Sequence, residues 1–272
     1  MKLQFLGTAA AEGIPAPFCE CKSCRLAREK KGKYVRRRSS LLINDDLLID
    51  CGPDFAVACS NYGLNMNKLK YLLITHAHFD HWYPENIEIR SGRYLREKTK
   101  QKLNILGNSS VFYKLQQLGY RDEELNINRI EAIAYEKYNL NPYLIIPIYA
   151  NHAHEYGYAL NYIIICNDKK ILYATDTGLY SSSNYSFLQK YYFDIIIIDS
   201  TNFIGKTSNN HLNVDGILHM KTKFNEIKAA DDHTIYICTH FSHNGITDIN
   251  KLEQLAKKNK LLIAYDGMEV QL

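Results

Sequence analysis

The chain has 272 residues, of which 46% are hydrophobic and 23% charged, and its formal net charge at pH 7 is +4. This composition can bury a sizeable core, so we expect one α/β domain over residues 1–272 rather than two small ones. The net charge is too small to indicate a nucleic-acid-binding protein by itself. No apolar run approaches the roughly 20 residues of a membrane span, which predicts a cytoplasmic protein without a membrane partner.

The chain opens with an alternating segment, Lys2–Leu6, that predicts a first β-strand, and Gly7–Phe18 then predicts a long loop. A cysteine-rich loop at about residues 19–24 follows, with Cys19, Cys21 and Cys24 separated by one and two residues. Three thiolates this close together can surround one tetrahedral ion, and zinc is the usual ion in a reducing compartment. The fourth ligand must then come from elsewhere in the chain.

Basic residues dominate the segment from Lys22 to Arg38, in which Glu29 is the only acidic residue. Such a cluster can steer a phosphate-bearing substrate or bind RNA. The composition favours a solvated helix and loop surface, because it lacks the platform of interleaved aromatic residues that single-strand-binding proteins use. RNA is therefore an alternative partner and not the favoured one.

Two apolar segments, Ser39–Ile43 and Leu47–Asp50, predict a hairpin that turns through a polar Asn-Asp-Asp sequence. A helix is predicted from Pro53 to about Tyr62, since proline suits the first helical turn. Asp50 lies where the second arm of the hairpin ends. It can orient a metal-binding imidazole or cap the following helix, and the sequence leaves both roles open.

The most informative segment follows the apolar run Tyr71–Ile74, which predicts a buried strand. Directly beyond it come His76, His78, Asp80 and His81. In an extended chain, a spacing of two places His76 and His78 on the same side, so they can share one metal ion. Asp80 and His81 are adjacent, and at a turn their side chains can reach a second ion. The segment therefore predicts a binuclear centre with ions about 3.5–4 Å apart.

Two later strands also end in potential ligands. Tyr143–Tyr149 is followed by His152 and His154, one of which should complete the shell of the first ion. His152 is preferred because it is nearer the strand, and His154 is the alternative. Ile171–Thr175 is followed by Asp176, whose two carboxylate oxygens can bridge two cations.

Asp50 and Asp176 share a local pattern, in which an apolar strand is followed by an aspartate, one further residue and a glycine, Gly52 or Gly178. The pattern suggests two similar halves rather than a sequence repeat.

The last third of the chain adds three candidate site histidines. Ile195–Ile198 predicts a buried strand, and a polar loop then leads to His211, just before a predicted helix. Anions are favoured at that position, so His211 is a candidate for contacting substrate phosphate or protonating the leaving group. Thr234–Cys238 predicts the last clear buried strand, and His240 and His243 follow it.

The His-x-His-x-Asp-His segment, together with the later histidines and aspartate, resembles the metallo-β-lactamase superfamily. Gly7-Thr8, Gly13-Ile14-Pro15, the three cysteines and Asp266-Gly267-Met268-Glu269 narrow the resemblance to phosphoribosyl cyclic phosphodiesterases of bacterial phosphonate breakdown, relatives of tRNA 3′-processing endonucleases. The resemblance covers nearly the whole chain. It implies an αββα sandwich of two mixed β-sheets flanked by helices, with the metals at one edge between the sheets.

The resemblance also implies a role for each matching residue. The first divalent ion would be held by His76, His78 and His152, the second by Asp80, His81 and His240, with Asp176 bridging. The structural zinc would be held by Cys19, Cys21, Cys24 and His243. The catalytic residues would be Asp80 and His211, with His211 facing the phosphate. Manganese or zinc suits the binuclear site, and the resemblance favours manganese.

The reaction implied is hydrolysis of a small, cyclic phosphodiester by a hydroxide that bridges the two ions, because divalent metals lower the pKa of bound water from about 15.7 towards about 7. Two dications against Asp80, Asp176 and hydroxide leave the centre at about +1, which attracts an anionic substrate. A tRNA 3′-processing or other nuclease, a glyoxalase-type thioester hydrolase and a noncatalytic carrier or partner protein of cofactor biosynthesis are the alternatives. The oligomeric state is open, with a homodimer as one option.

Overall fold

The computed structural model describes residues 1–97, 99–152, 157–206, 208–246 and 249–272. These residues form two seven-stranded β-sheets that pack face to face, with helices on both outer sides. In chain order the strands are β1 (Lys2–Gly7), β2 (Ser40–Ile43), β3 (Leu47–Ile49), β4 (Tyr71–Leu73), β5 (Leu103–Gly107), β6 (Ile127–Glu131), β7 (Tyr138–Leu140), β8 (Tyr143–Tyr149), β9 (Leu160–Cys166), β10 (Lys169–Ala174), β11 (Ile195–Asp199), β12 (Ile235–Thr239), β13 (Leu261–Ile263) and β14 (Glu269–Gln271).

The helices surround the two sheets and are short. The longest in the described ranges has 13 residues, and none there is long and apolar enough to cross a membrane. In chain order they are α1 (Lys22–Lys30), α2 (Phe55–Tyr62), α3 (Glu85–Glu88), α4 (Ser109–Gln116), α5 (Asp122–Leu125), α6 (Ser182–Leu188), α7 (Val214–Glu226) and α8 (Ile249–Lys258).

Both sheets are mixed. The first has the order β14-β1-β2-β3-β4-β5-β6, antiparallel from β14 to β3 and parallel from β3 to β6. The second has the order β13-β12-β11-β10-β9-β8-β7, parallel from β13 to β10 and antiparallel from β10 to β7. This architecture confirms the predicted αββα sandwich, and it gives each sheet one parallel and one antiparallel half.

The core has three apolar layers, and strand alternation sorts side chains among them. In β11, Ile195 and Ile197 point into the layer between the sheets, whereas Ile196 and Ile198 pack under α7 and α8. A third layer lies between the first sheet and the helices α2 and α4. Because β11 is buried on both faces, it reads as an unbroken apolar run, which is why its sequence predicts a central strand.

The predicted elements differ from the observed ones mainly at edges and ends. β8 has its predicted bounds. The sequence of Asn126–Ala134 also predicts a strand, and the structure has the shorter β6 there. The edge strands β7 and β14 were not predicted, because they are three residues long and lack a continuous apolar run. The sequence predicts the last long helix over Asp248–Lys258 with Thr247 as its cap. The helix is observed from Ile249, and Thr247 and Asp248 lie outside the described ranges.

Trp82, which directly follows His81 in the sequence, is a core residue and not a wall of the cleft. It is 1% exposed within the layer beneath α4, and its indole Nε1 donates to the Val111 carbonyl oxygen at 3.0 Å. This contact fastens α4 to the segment that carries the central histidines.

Candidate metal centre

The candidate ligands follow strands that run in the same direction. In the second sheet β10, β11 and β12 are parallel, so Asp176, Asp199 and His240 lie at one edge of that sheet. In the first sheet β3 and β4 are parallel, which places Asp50 and His76 together. Parallel strands present their carboxyl ends at a common edge, and the sandwich brings the two edges together.

Three imidazoles form the first cluster. His76 Nε2 lies 2.8 Å from His78 Nδ1, and His152 Nε2 lies 3.2 Å from the same His78 nitrogen. Their ligand-type atoms all lie within 4.8 Å of one another, a separation that one metal ion can span. The structure thus places His152 beside His76 and His78, whereas the alternative ligand, His154, lies outside the described residues.

The second cluster contains two imidazoles and two carboxylates. His81 Nε2 lies 3.2 Å from His240 Nε2 and 3.2 Å from an Asp80 carboxylate oxygen. Asp176 Oδ2 is 2.5 Å from His81 Nε2 and 3.4 Å from the Nε2 atoms of both His240 and His76. Asp176 thus contacts both clusters, which is the position that the bridging prediction requires.

Asp50 orients the His81 imidazole of the second cluster by contacting the ring nitrogen that points away from the other ligands. Its Oδ2 lies 2.7 Å from His81 Nδ1, and it also accepts hydrogen bonds from the Thr75 amide and hydroxyl. The side chain of Asp50 is fully buried and makes no cap for α2, whose N-cap residue is Asp54. Of the two roles left open by the sequence, the geometry supports imidazole orientation, which fixes the His81 tautomer so that Nε2 faces the metal site.

Asp199 has the same orienting role at the edge of the second sheet, although the sequence did not identify it as a candidate site residue. It is fully buried and lies 3.2 Å from His211 Nδ1 and 3.6 Å from His240 Nδ1. It also accepts hydrogen bonds from the Thr201 hydroxyl and the Leu212 amide. An aspartate directly after an apolar strand is the same signal that identified Asp50 and Asp176.

The backbone is left-handed at three positions of this centre, with φ of +61° at Asp50, +48° at Asp176 and +61° at His240. Such conformations cost about 1–3 kcal/mol each and cluster at functional sites. The two Asp-x-Gly patterns fold alike. A Cβ on Gly52 would lie 2.0 Å from the Asp80 carbonyl oxygen, and one on Gly178 would lie 1.9 Å from that of Asn209. Glycine is required where each turn touches a neighbouring loop.

The electrostatics of the centre suit divalent cations. Burial, followed by the neighbouring His81, lowers the pKa of His76 well below its usual range, so its ring is neutral and can offer a lone pair. Burial opposes ionisation of Asp176, but the surrounding imidazoles outweigh it and hold its pKa well below the ordinary value. Burial also lowers the pKa of His81, but the surrounding carboxylates outweigh burial and raise it well above its ordinary value, so a cation bound there would displace a proton. The set combines imidazoles with carboxylates, the donor types that suit zinc or manganese.

His211 completes the centre on the second-sheet side. Its Nδ1 lies 3.4 Å from Asp176 Oδ1 and 3.2 Å from Asp199 Oδ2. Burial lowers the pKa of His211, but the Asp199 and Asp176 carboxylates outweigh burial and raise it to about 9. With Asp50 and Asp199 added to Asp80 and Asp176, four carboxylates surround the histidines of the centre. Two dications and a hydroxide would then leave the centre at about −1, and not at the +1 expected from two carboxylates, so positive charge from His211 would be needed to attract an anion.

A second donor cluster lies near the N-terminus. His243 Nδ1 is 3.5 Å from Cys19 Sγ and 3.4 Å from Cys21 Sγ, and Cys24 joins them within 4.8 Å. Burial raises the pKa of the Cys21 thiol, but hydrogen bonds from the Cys24 amide and His243 lower it to about 6. The predicted cysteine loop is partly helical, because Cys24 lies in the first turn of α1.

The sequence profile described as a beta-lactamase superfamily domain matches residues 46–251. The chain belongs to the beta-lactamase superfamily. The match includes every residue of the histidine and aspartate centre, and within this superfamily such a centre makes the protein a metal-dependent hydrolase.

Solved structures share the fold of this superfamily member along its full length. A diphosphatase from the PhnP family is 20% identical with a TM-score of 0.75, covering 100% of this chain and 97% of the other. Zinc-bound PqqB from Methylobacterium extorquens is 15% identical with a TM-score of 0.77 and full coverage of both chains. The short form of human tRNase Z is 16% identical with a TM-score of 0.66, covering 100% and 99%.

One curated relative matches a shorter stretch of sequence. An octanoyltransferase from Porphyromonas gingivalis is 39% identical over 85 residues, which are 30% of this chain and 16% of that protein. The chain therefore spans a small part of that relative's length.

Proposed function

We propose that this beta-lactamase superfamily member is a phosphodiesterase that hydrolyses a small cyclic phosphodiester. The observation that supports it best is His211, a cationic group held by Asp199 directly beside the binuclear donor set. A phosphodiester needs positive charge on its phosphoryl oxygens and a proton for the departing oxygen. His211 can serve both needs from one position.

The residues present fit two divalent ions, manganese or zinc. His76, His78 and His152 would hold one, Asp80, His81 and His240 the other, and Asp176 would lie between them. When bound, such a pair activates water and neutralises charge on the phosphoryl group. Asp50 holds His81 in the tautomer that this arrangement requires.

Asp199 keeps His211 charged and aligned. Its Oδ2 lies at hydrogen-bond distance from His211 Nδ1, which leaves Nε2 as the nitrogen available to a substrate. From there His211 would donate its proton to the oxygen released from phosphorus. Asp80 belongs to the same catalytic set, as a ligand at the second position and not as a proton donor.

A cleft of about 660 Å³ runs along α4, and Lys114 connects it to the histidine segment, although none of the candidate metal ligands lines it. Its wall is the outer face of α4, including Tyr113 and Lys114, and the Lys114 ammonium donates to the backbone carbonyl of Ala77, between His76 and His78. The volume falls within the range of small-molecule sites, which favours a small substrate.

We also propose that Cys19, Cys21, Cys24 and His243 bind a structural zinc. The set supplies four soft or imidazole donors, which fill a tetrahedral shell and leave no position for a substrate. Such a site would fix the start of α1 against the loop after β12.

The nuclease alternative has less support, because the arginines of the basic segment are bound internally. Arg37 lies 3.4 Å from an Asp266 oxygen, and Arg38 lies 3.1 Å from an Asp54 oxygen. Arginines held this way are poorly placed to neutralise RNA phosphates. The noncatalytic alternative does not explain why all seven binuclear ligands are assembled.

A turnover panel on manganese-loaded protein tests the proposal. The substrates are a ribose 1,2-cyclic phosphate, a linear diester, a precursor tRNA and a thioester. We expect the cyclic phosphate to have the highest kcat/KM and the thioester to be inert. Turnover of the tRNA or the thioester alone would contradict the proposal.

A further inference from the structure

The three successive arginines at positions 36–38 differ in how their charges are neutralised. Arg37 and Arg38 are partly exposed, and each lies beside a carboxylate, Asp266 or Asp54. Arg36 is the most buried of the three, at 5% exposure, and no salt bridge joins it to a carboxylate in the described part of the chain. The arginine that most needs a counter-charge is the one without a direct partner.

The contacts of Arg36 are neutral. Its Nη1 donates to the Thr8 hydroxyl at 2.8 Å and to the Ala264 carbonyl oxygen, and its guanidinium lies 4.8 Å from the centre of the Phe241 ring. Its Nε is buried without a hydrogen-bond partner among the described residues. Burial lowers the pKa of Arg36 to about 10, with Asp266 opposing the shift.

Asp266 does not cancel this charge. Its Oδ1 accepts from the Thr8 hydroxyl at 2.7 Å, so it reaches Arg36 only through that hydroxyl. Its Oδ2 accepts from the Arg37 amide at 2.6 Å and lies 3.4 Å from the Arg37 guanidinium. Two guanidinium groups therefore share one carboxylate, which leaves one positive charge in a buried network.

A cavity of about 200 Å³ adjoins Arg36. Lys33, Tyr34 and Tyr265 form its polar wall, and Leu252 and Ile263 belong to its apolar wall. Glu253 also lines it and lies 3.4 Å from Lys33, so these two charges cancel and Arg36 leaves the cavity net positive.

We propose that this cavity binds a small organic carboxylate, with the carboxylate towards Arg36 and an apolar body against Leu252 and Ile263. A guanidinium matches a carboxylate with two parallel hydrogen bonds, and the apolar wall selects an anion that carries a hydrophobic group. This site is separate from the metal centre, and it accounts for the most buried of the three successive arginines.

Calorimetric titration with benzoate tests the proposal, with benzamide as the uncharged probe of the same shape. We expect saturable benzoate binding to the metal-loaded protein, with benzamide at least tenfold weaker. In His76→Ala, where the metal centre is disrupted, inorganic phosphate should also bind more weakly than benzoate, because phosphate cannot contact the apolar wall. Equal binding of benzamide, or tighter binding of phosphate in His76→Ala, would overturn the proposed ligand class.

Variants then locate the binding. Arg36→Gln, checked for folding by circular dichroism, should weaken benzoate at least tenfold. Lys33→Met, at a side chain 58% exposed, should fold normally and weaken it about threefold by removing a cation from the rim. Lys30→Met removes the same charge from an exposed lysine outside the cavity and should change nothing.

The metal centre is the competing location for a carboxylate. His76→Ala disrupts that centre and should leave benzoate affinity unchanged. Loss of binding in His76→Ala, or unchanged affinity in both Lys33→Met and Arg36→Gln, would overturn the proposal.

Discussion

The two donor clusters of this protein differ in their burial, in the chemistry of their donor atoms and in the side chains that orient those donors. The histidine and aspartate centre lies between the edges of both sheets, and buried aspartates hold its imidazoles from behind. The cysteine cluster lies on one loop and the first turn of α1, and only His243 comes from a distant part of the chain. The histidine and aspartate centre takes its residues from both β-sheets of the sandwich. The cysteine cluster connects the segment at the start of α1 to His243, in the loop after β12.

The difference explains why we assign catalysis to one cluster and stability to the other. Hard carboxylate oxygens and imidazoles from several strands leave coordination positions for water and substrate. Three thiols and one imidazole fill a tetrahedral shell. Substitutions in the first cluster should therefore change turnover, and those in the second should change folding.

The largest effect is expected at Asp176. Asp176→Asn keeps a residue that tolerates the left-handed backbone but removes the charge between the two clusters, so kcat should fall at least about a thousandfold. Steady-state kinetics and metal analysis measure this. Asp168→Asn makes the same change at another left-handed aspartate, just before β10, and should be neutral. Equal losses in both variants would refute the special role of Asp176.

Asp199→Asn should come next. Without the carboxylate, His211 is no longer held charged, so kcat should fall about 10²–10³-fold while bound metal is retained. Asp194→Asn, immediately before the other end of β11, is the matched control. If metal content fell in parallel with kcat, Asp199 would be supporting the ligand His240 and not His211.

Asp50→Asn should have a smaller effect, because it weakens the orientation of a ligand without removing one. We expect a loss of about 10–100-fold in metal affinity or activity, measured by metal titration and kinetics. Asp45→Asn changes an exposed left-handed aspartate in the same hairpin and should match the unsubstituted protein. Unchanged metal affinity and activity in Asp50→Asn would contradict the orienting role.

Cys21→Ser should change turnover least. The variant should lose zinc and melt about 5 °C or more below the unsubstituted protein, while kcat at low temperature stays within about twofold. Cys59→Ser, at a cysteine outside the cluster, controls for the loss of a thiol. Zinc content that survives Cys21→Ser would remove the basis for a structural zinc.

The sequence predicted those features that follow from local pattern. Apolar runs such as Ile195–Ile198 identified the central strands, and potential ligands directly after such runs identified most of the centre. It did not predict the partnership of Asp199 with His211, because a loop of 11 residues separates them and only folding sets their distance. Nor did the sequence predict which arginines pair with carboxylates, because Arg37 and its partner Asp266 are 229 residues apart in the chain.

We expect these side chains to hold two neighbouring cations. Anomalous diffraction from crystals of the manganese-loaded protein can locate both. It should show two peaks about 3.5–4 Å apart, one among His76, His78 and His152, the other among Asp80, His81 and His240, with Asp176 between them. A single peak, or a second one outside the reach of Asp176, would contradict this expectation.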